Sequence, residues 1–243
     1  MASKLVSVNI QGKLHIEKIV KILEEQCPQI VTFQEVFEDD FEDLAKYFNM
    51  DGLFVPVDQH KVELRPGMGT GYRGVSILTN LPFDNEEGIC YKGDGIVPIY
   101  THPENNESWL GLMTAYEDGI PLRIETTHFT YSYDAKATEL QRRSFQNLMS
   151  ALEGEENLML SGDFNAPRGK EIFNRFLEYF EDNLPADIDS TLDPNLHRAK
   201  GLKLVVDTLF TRGSISVTDV QAHQGISDHM GLSGLVSNST YAN

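Results

Sequence analysis

Ser161-Gly162-Asp163-Phe164-Asn165-Ala166-Pro167 places a carboxylate and a carboxamide two residues apart, directly after the apolar run Leu158-Met159-Leu160. Ile172, Phe173, Phe176, Leu177 and Phe180 follow at helical spacing, so the stretch reads as a strand running into a helix. In an α/β protein the last side chains of such a strand stand at the mouth of the sheet, where ligands bind. The same residues also suit an Asx-rich turn, with Asp163 capping the helix that follows. The rest of the chain decides between the two.

With 243 residues, 40% hydrophobic content and no Pro/Gly/Ser tract to divide it, the chain suits one domain, residues 1–236, with a polar tail at 237–243. Its net charge of -17 argues against a protein whose affinity rests on neutralising many duplex phosphates. Two cysteines, Cys27 and Cys90, are too few for a disulfide framework. There is neither a secretory-type leader nor an apolar run of the roughly 18 residues a membrane helix needs. The expectation is therefore a soluble, cytoplasmic monomer without membrane insertion. Asn106-Glu107-Ser108 and Asn238-Ser239-Thr240 match the glycosylation acceptor pattern, but such tripeptides are common by chance and carry no weight.

From the amino terminus, Lys4-Leu5-Val6-Ser7-Val8-Asn9-Ile10 alternates like a strand and places Asn9 at its end. Ile16, Ile19, Val20 and Leu23 share a helical face that Pro28 terminates, and Ile30-Val31-Thr32-Phe33 forms a second strand finishing on Gln34-Glu35. A further helix carries Phe41, Leu44, Ala45 and Phe48 inward, and Glu38-Asp39-Asp40 at its start reads as a solvated cap. Between residues 50 and 130 short strands dominate, at Leu53–Val55, Gly74–Thr79, Leu110–Tyr116 and Leu122–His128, and this half looks antiparallel. The glycine-rich stretch Arg65–Gly74 precedes a strand instead of opening a helix, so it is expected to be a flexible surface loop and not a phosphate-binding motif. A helix through Leu140, Phe145, Leu148, Met149 and Leu152 leads back to the strand before Asp163.

Near the carboxyl end, Leu204–Phe210 puts Asp207 inside an apolar strand, where an unpaired carboxylate would cost several kcal/mol. An imidazole would relieve it. His229 is the natural partner, in Ser227-Asp228-His229, which is expected to close the strand after Ile215–Val220.

Asn9, Glu35, His128, Asp163, Asn165, Asp207, Asp228 and His229 thus fall at strand ends or in buried strands. They offer hard oxygens and imidazole but no thiolate, a set that suits Mg²⁺ or Mn²⁺ with substrate phosphate oxygens better than structural zinc.

The ordered blocks Val8-Asn9, Phe33-Gln34-Glu35-Val36, Gly71–Thr79, Thr127-His128-Phe129, Gly162-Asp163-Phe164-Asn165, Val206-Asp207 and Ser227-Asp228-His229 resemble the endonuclease/exonuclease/phosphatase superfamily nearly end to end. The resemblance implies a four-layer α/β/β/α sandwich of the DNase I-like kind, two mixed β-sheets flanked by helices, with a divalent-metal phosphoesterase site at one end. It assigns Glu35 as the principal metal carboxylate, with Asn9 and Asp228 completing the metal set. By the same resemblance Asp163 would orient or deprotonate the attacking water, Asn165 would hold phosphate or nucleophile, His229 would contact the scissile phosphate with Asp207 orienting it, and His128 would be a second phosphate-facing group. The chain departs from the pattern at Asn9-Ile10-Gln11, where many members carry an aromatic after the Asn, and at Val206-Asp207-Thr208, where Asp-Tyr is frequent.

Three functions compete. A metal-dependent phosphodiesterase or phosphatase acting on a small or single-stranded nucleic-acid substrate accounts for the intact site and the acidic composition together. A DNA endonuclease, exonuclease or repair nuclease would want a basic footprint, and here Arg73, Arg142, Arg143, Arg168, Arg198 and Lys200 are scattered. A non-catalytic binding protein on the same scaffold would be expected to have lost a metal or base residue, and none is lost.

Overall fold

The computed structural model describes residues 2–103 and 106–241. One sheet is ordered β11-β12-β1-β2-β4-β3, built from β1 (Ser3–Asn9), β2 (Ile30–Phe37), β3 (Asp51–His60), β4 (Gly71–Thr79), β11 (Ile215–His223) and β12 (Gly231–Asn238). The other is ordered β5-β6-β7-β8-β10-β9, from β5 (Phe83–Lys92), β6 (Ser108–Glu117), β7 (Ile120–His128), β8 (Leu158–Asp163), β9 (Glu181–Asp182) and β10 (Asp207–Arg212). Each sheet has one parallel pair, β1 with β2 and β7 with β8, and its other pairs are antiparallel.

Helices supply the parallel crossovers, as parallel pairing requires. Helix α1 (Ile16–Gln26) links β1 to β2 and ends where Cys27 turns left-handed, with a φ of 46°. Helix α3 (Glu139–Ala151) links β7 to β8 and starts at Thr138, whose hydroxyl accepts from Gln141 N at 3.1 Å. Helix α2 (Glu38–Phe48) follows β2 directly, with the acids of its first turn at the positive end of its dipole, and α4 (Glu171–Phe176) follows β8.

Three apolar layers hold the four structural ones together. Ile19, Leu23 and Leu44 of α1 and α2 pack on Val6, Val8, Val31 and Phe33. Phe145, Leu148, Phe173 and Phe176 of α3 and α4 pack on Leu158, Leu160 and Phe210. Leu5, Ile30, Ile77, Met113, Ile124, Met159 and Leu209 fill the space between the sheets. The result is the expected α/β/β/α sandwich.

The inter-sheet layer changes character along the strands, and that gradient places the site. Side chains two apart share a face, and the inward series runs Leu5-Ser7-Asn9 on β1, Ile30-Thr32-Gln34 on β2, Ile124-Thr126-His128 on β7 and Met159-Ser161-Asp163 on β8. The strands are in register row by row, with Leu5 beside Ile30, Ser7 beside Thr32, Thr126 beside Ser161 and His128 beside Asp163. Each series passes from apolar through hydroxyl to amide, imidazole or carboxylate. The hydroxyl row closes on itself across the sheets, Thr32 Oγ1 lying 2.9 Å from Ser161 Oγ, while Gln34 Nε2 donates to Thr126 Oγ1 at 3.0 Å.

Several boundaries differ from those read in the sequence. Asp207 opens β10 instead of lying within a strand, because the preceding residues are held by Thr191, whose Oγ1 accepts from the backbone N–H of Val206 and Asp207. Ser227-Asp228-His229 sits just ahead of β12 and does not close β11. Strand β12 itself continues to Asn238, two residues into the stretch expected to be tail, held there by β11 pairing at Ser216 and Ile215; residues 242–243 of that stretch lie outside the described residues. Strand β5 gave no alternation to read, and its polar Asp84–Glu87 stretch contains a register shift.

Candidate active site

All eight candidate residues converge at the polar end of the inter-sheet layer, and Glu35, His128, Asp163, Asn165, Asp228 and His229 line one cleft of about 1080 Å³. Glu35 reaches it through a bulge. An uninterrupted strand would send Glu35 to the helix side with Val31 and Phe33, but the β2–β4 register shifts between Gln34 and Val36 and Glu35 takes a φ of 56°. Val36 then occupies the outward, fully buried place. A non-glycine residue in that region costs on the order of 1–2 kcal/mol, which the surrounding sheet must offset. So Glu35 is not at a strand end, as its sequence suggested, but on a mid-strand bulge.

Asp163 is delivered by a close approach of backbones. Gly162 has a φ of 148°, and a Cβ there would lie 1.9 Å from Thr127 O, so no other residue fits between β8 and β7 at this point. Asp163 Oδ2 then lies 3.4 Å from His128 Nε2 and 3.6 Å from His229 Nε2, and accepts from Asn9 Nδ2 at 3.2 Å. Its Oδ1 accepts from Asn165 N at 2.9 Å. Burial alone would raise this carboxyl, but the charges of His229 and His128 outweigh it and hold Asp163 well below the usual carboxylate range.

His229 Nδ1 donates to Asp207 Oδ2 at 2.9 Å and sits 3.1 Å from Oδ1, so the pairing expected from sequence is present. Burial works against the imidazolium, yet Asp207 and Asp163 together raise His229 well above its ordinary value. His128 is raised too, with burial again outweighed by Asp163 and Glu35. Both rings can therefore present a charged N–H to an anion near neutral pH.

The metal candidates form a second group. Asn9 Nδ2 is 3.4 Å from Glu35 Oε1, and Asn9 Oδ1 accepts from Gln11 N at 3.1 Å. Asp228 accepts from the side chain of Gln11. Burial, with the charge of Glu35 added, raises Asp228 against the opposing His229. Asp163, Asp207 and His229 also bring donor atoms within 4.8 Å of one another. That closeness includes the His229–Asp207 hydrogen bond, which already occupies Nδ1, whereas Glu35 and Asp228 offer carboxylate oxygens, the donor chemistry of a hard divalent cation.

The model for the Endonuclease/Exonuclease/phosphatase family matches residues 6–229. The chain belongs to that family. Solved structures with the same sandwich include an endonuclease/exonuclease/phosphatase from Bacteroides vulgatus, 15% identical over 98% of this chain and 99% of that one, with a TM-score of 0.74. D. rerio TDP2 complexed with a single-strand DNA product is 15% identical over 98% and 99%, at a TM-score of 0.70. The human Nocturnin catalytic domain with bound sulfate is 19% identical over 98% and 93%, at 0.69. Comparison with curated proteins by sequence gives no match. Members of the endonuclease/exonuclease/phosphatase family are hydrolases of phosphate esters and generally depend on a divalent metal. No helix among the described residues is long and apolar enough to cross a membrane.

Within this family site, three groups escaped the sequence reading. Gln11, at a φ of 57°, ties Asn9 to Asp228. His197 meets His229 edge-on with ring centroids 6.4 Å apart, and its own protonation is disfavoured, chiefly by burial. Arg73, expected in a flexible surface loop, is on β4 and buried, because Asp58 and Glu35 neutralise it. Only the Asn-x-Gln spacing could have suggested any of them.

Proposed function

We propose that this chain is a divalent-metal-dependent phosphoesterase, using Mg²⁺ or Mn²⁺, that hydrolyses a phosphate ester in a small-molecule or single-stranded nucleic-acid substrate by in-line attack of water. The observation that carries the reading is Asp163 Oδ2 held between His128 and His229 in the cleft that also contains Glu35 and Asp228. Glu35, Asp228 and Asn9 would hold the cation, which would supply neutralisation of the phosphate oxygens. Asp163, kept ionised by its two imidazoles, orients the water and accepts its proton. His229, steadied by Asp207, offers Nε2–H to the negative charge on the phosphoryl oxygens, and His128 does the same from β7. Asn165 gives one amide hydrogen to Phe129 O at 2.9 Å and has a second for substrate.

The rest of the cleft supports a short or single-stranded anion over a duplex. Its walls include Tyr100, Tyr131, Leu64, Met68 and Leu202, and the exposed cations Arg65, Lys136, Lys170 and Arg198 stand among them. These are a few charges around a partly aromatic cavity on a protein of net charge -17, not the continuous basic stripe a duplex requires. TDP2, which shares the fold, is described with a single-strand DNA product. We take the protein to act as a monomer in the cytoplasm, and light scattering on the purified chain tests the first half of that.

The deciding experiment offers purified protein phosphomonoesters, phosphodiesters, single-stranded DNA, RNA and duplex DNA with Mg²⁺ or Mn²⁺. Cleavage of a small or single-stranded ester that EDTA abolishes is the expected result. Preference for duplex DNA rejects the substrate class, and metal-independent turnover rejects the chemistry.

A further inference from the structure

Arg73 lies on β4 with a bulged strand on each side. On β2 the register shifts between Gln34 and Val36, and on β3 it shifts between Pro56 and Asp58. The β3 irregularity falls opposite the Gly74–Arg73 step and the β2 one opposite the adjacent Gly74–Val75 step, and the register partners of Arg73 itself are Phe37 and Asp58. A bulge re-aims a side chain, and these two turn a carboxylate from each neighbouring strand onto one guanidinium. Nε and Nη2 donate to Asp58 Oδ1 and Oδ2 at 3.2 and 2.8 Å, and Nη1 donates to Glu35 Oε2 at 2.8 Å. Behind this fork, Asp58 accepts from Asn106 Nδ2 at 2.8 Å and has His60 Nε2 at 2.9 Å, while the guanidinium carbon stands 5.3 Å from the centre of the Tyr100 ring.

We propose that Arg73 is a positioning residue for the metal carboxylate: clamped by Asp58, it takes Oε2 of Glu35 and leaves Oε1 as the oxygen turned toward Asn9 and His128. The inference rests on the divalent-metal reading of the site. Three of its five N–H donors, one on each nitrogen, are committed to the carboxylates of Asp58 and Glu35, so its charge is met within the clamp although it lines the cleft. A carboxylate on a strained bulge needs such a brace, since free rotation would let both oxygens turn away. The clamp also joins the cleft wall to the metal group, because Tyr100 and Asn106 belong to the segment between β5 and β6, which is pinned to β3 by Tyr100 N donating to Gln59 O at 2.9 Å.

A merely structural Arg73 would serve only to neutralise buried Asp58. Lysine separates the two roles, since it keeps the charge but cannot span Asp58 and Glu35 with a planar fork. Mn²⁺ binding is measured by calorimetry on wild type, Arg73→Lys, Glu35→Gln and the double variant, with thermal melts to check folding. Arg73→Lys is expected to weaken Mn²⁺ binding about 10-fold or more, the usual cost of losing a residue that orients a ligand, and to add almost nothing in the Glu35→Gln background. Unchanged affinity in Arg73→Lys, or an equal loss with and without Glu35, overturns the proposal while leaving the metal reading intact. A wild type that binds no Mn²⁺ rejects both. Should Arg73→Lys fail to fold, Asp58→Asn takes its place: it weakens one side of the clamp without touching Glu35, and it must lower Mn²⁺ affinity for the proposal to stand.

Discussion

His229 Nδ1 lies 2.9 Å from Asp207 Oδ2, with both side chains buried and the ring's other nitrogen turned toward Asp163 at 3.6 Å. The hydrogen bond lets Asp207 set the aim of the ring, and on the proposed function the two residues act as one unit. Single replacements Asp207→Ala and His229→Ala are each expected to lower kcat/KM by on the order of 10² or more, within the range of acid–base contributions. The double variant should lose little beyond the worse single, as groups acting together do. Fully additive losses in the cycle would separate them.

Asp163 stands at the convergence of Asn9, His128, Asn165 and His229, with an imidazole on either side. Asp163→Asn preserves shape while removing the proton acceptor. Turnover should fall by on the order of 10² or more, with Mn²⁺ affinity within a few-fold of wild type because Glu35 and Asp228 are untouched. A variant that keeps above about a tenth of the rate would move the base role to another residue.

What the sequence made legible follows from period and register. Leu5-Ser7-Asn9 and Met159-Ser161-Asp163 are ordinary alternating strands, so their polar last members could be placed at one end of the sheets, and the apolar helical faces fixed the outer layers. What stayed hidden depends on departures from period two. Glu35 reaches the site through a bulge that strand alternation does not encode, and Asp58, which secures Arg73 from 15 residues away, uses a second one. Gly71-Tyr72-Arg73-Gly74 reads as loop because glycine is poor in strands, yet Gly74 is needed there: a Cβ would meet Val55 O at 2.0 Å. Burial of an arginine is set by partners distant in sequence, and no local pattern announces it.

Gly162 offers a test of how tightly the site is built. With a φ of 148° and Thr127 O at 1.9 Å from any added Cβ, Gly162→Ala must push β8 away from β7 just before Asp163. The expected loss is about 3 kcal/mol or more, large for one methyl group, and read as a drop in the urea midpoint. A midpoint within experimental error of wild type would mean that β8 has slack at this position.

Glu125 gives the protein a pH-dependent weakness away from the site. It lies on β7 between Leu112 and Leu160, fully buried, with Arg123 Nε at 3.4 Å and neither carboxylate oxygen hydrogen-bonded. Burial pushes its pKa up to about 8, only partly opposed by Arg123. From about 4.5 to about 8 the unfolded chain carries the charge while the folded one keeps the proton, so the folded state binds more protons and stability falls as pH rises. The slope approaches about 1.4 kcal/mol per pH unit across that window, and levels off above it. Glu125→Gln, neutral and of the same shape, removes the dependence. Its stability relative to wild type should therefore climb steadily between pH 5 and pH 8 in parallel urea titrations, whatever other groups contribute to both proteins. A difference that stays flat over that range would show Glu125 ionised throughout and balanced by Arg123.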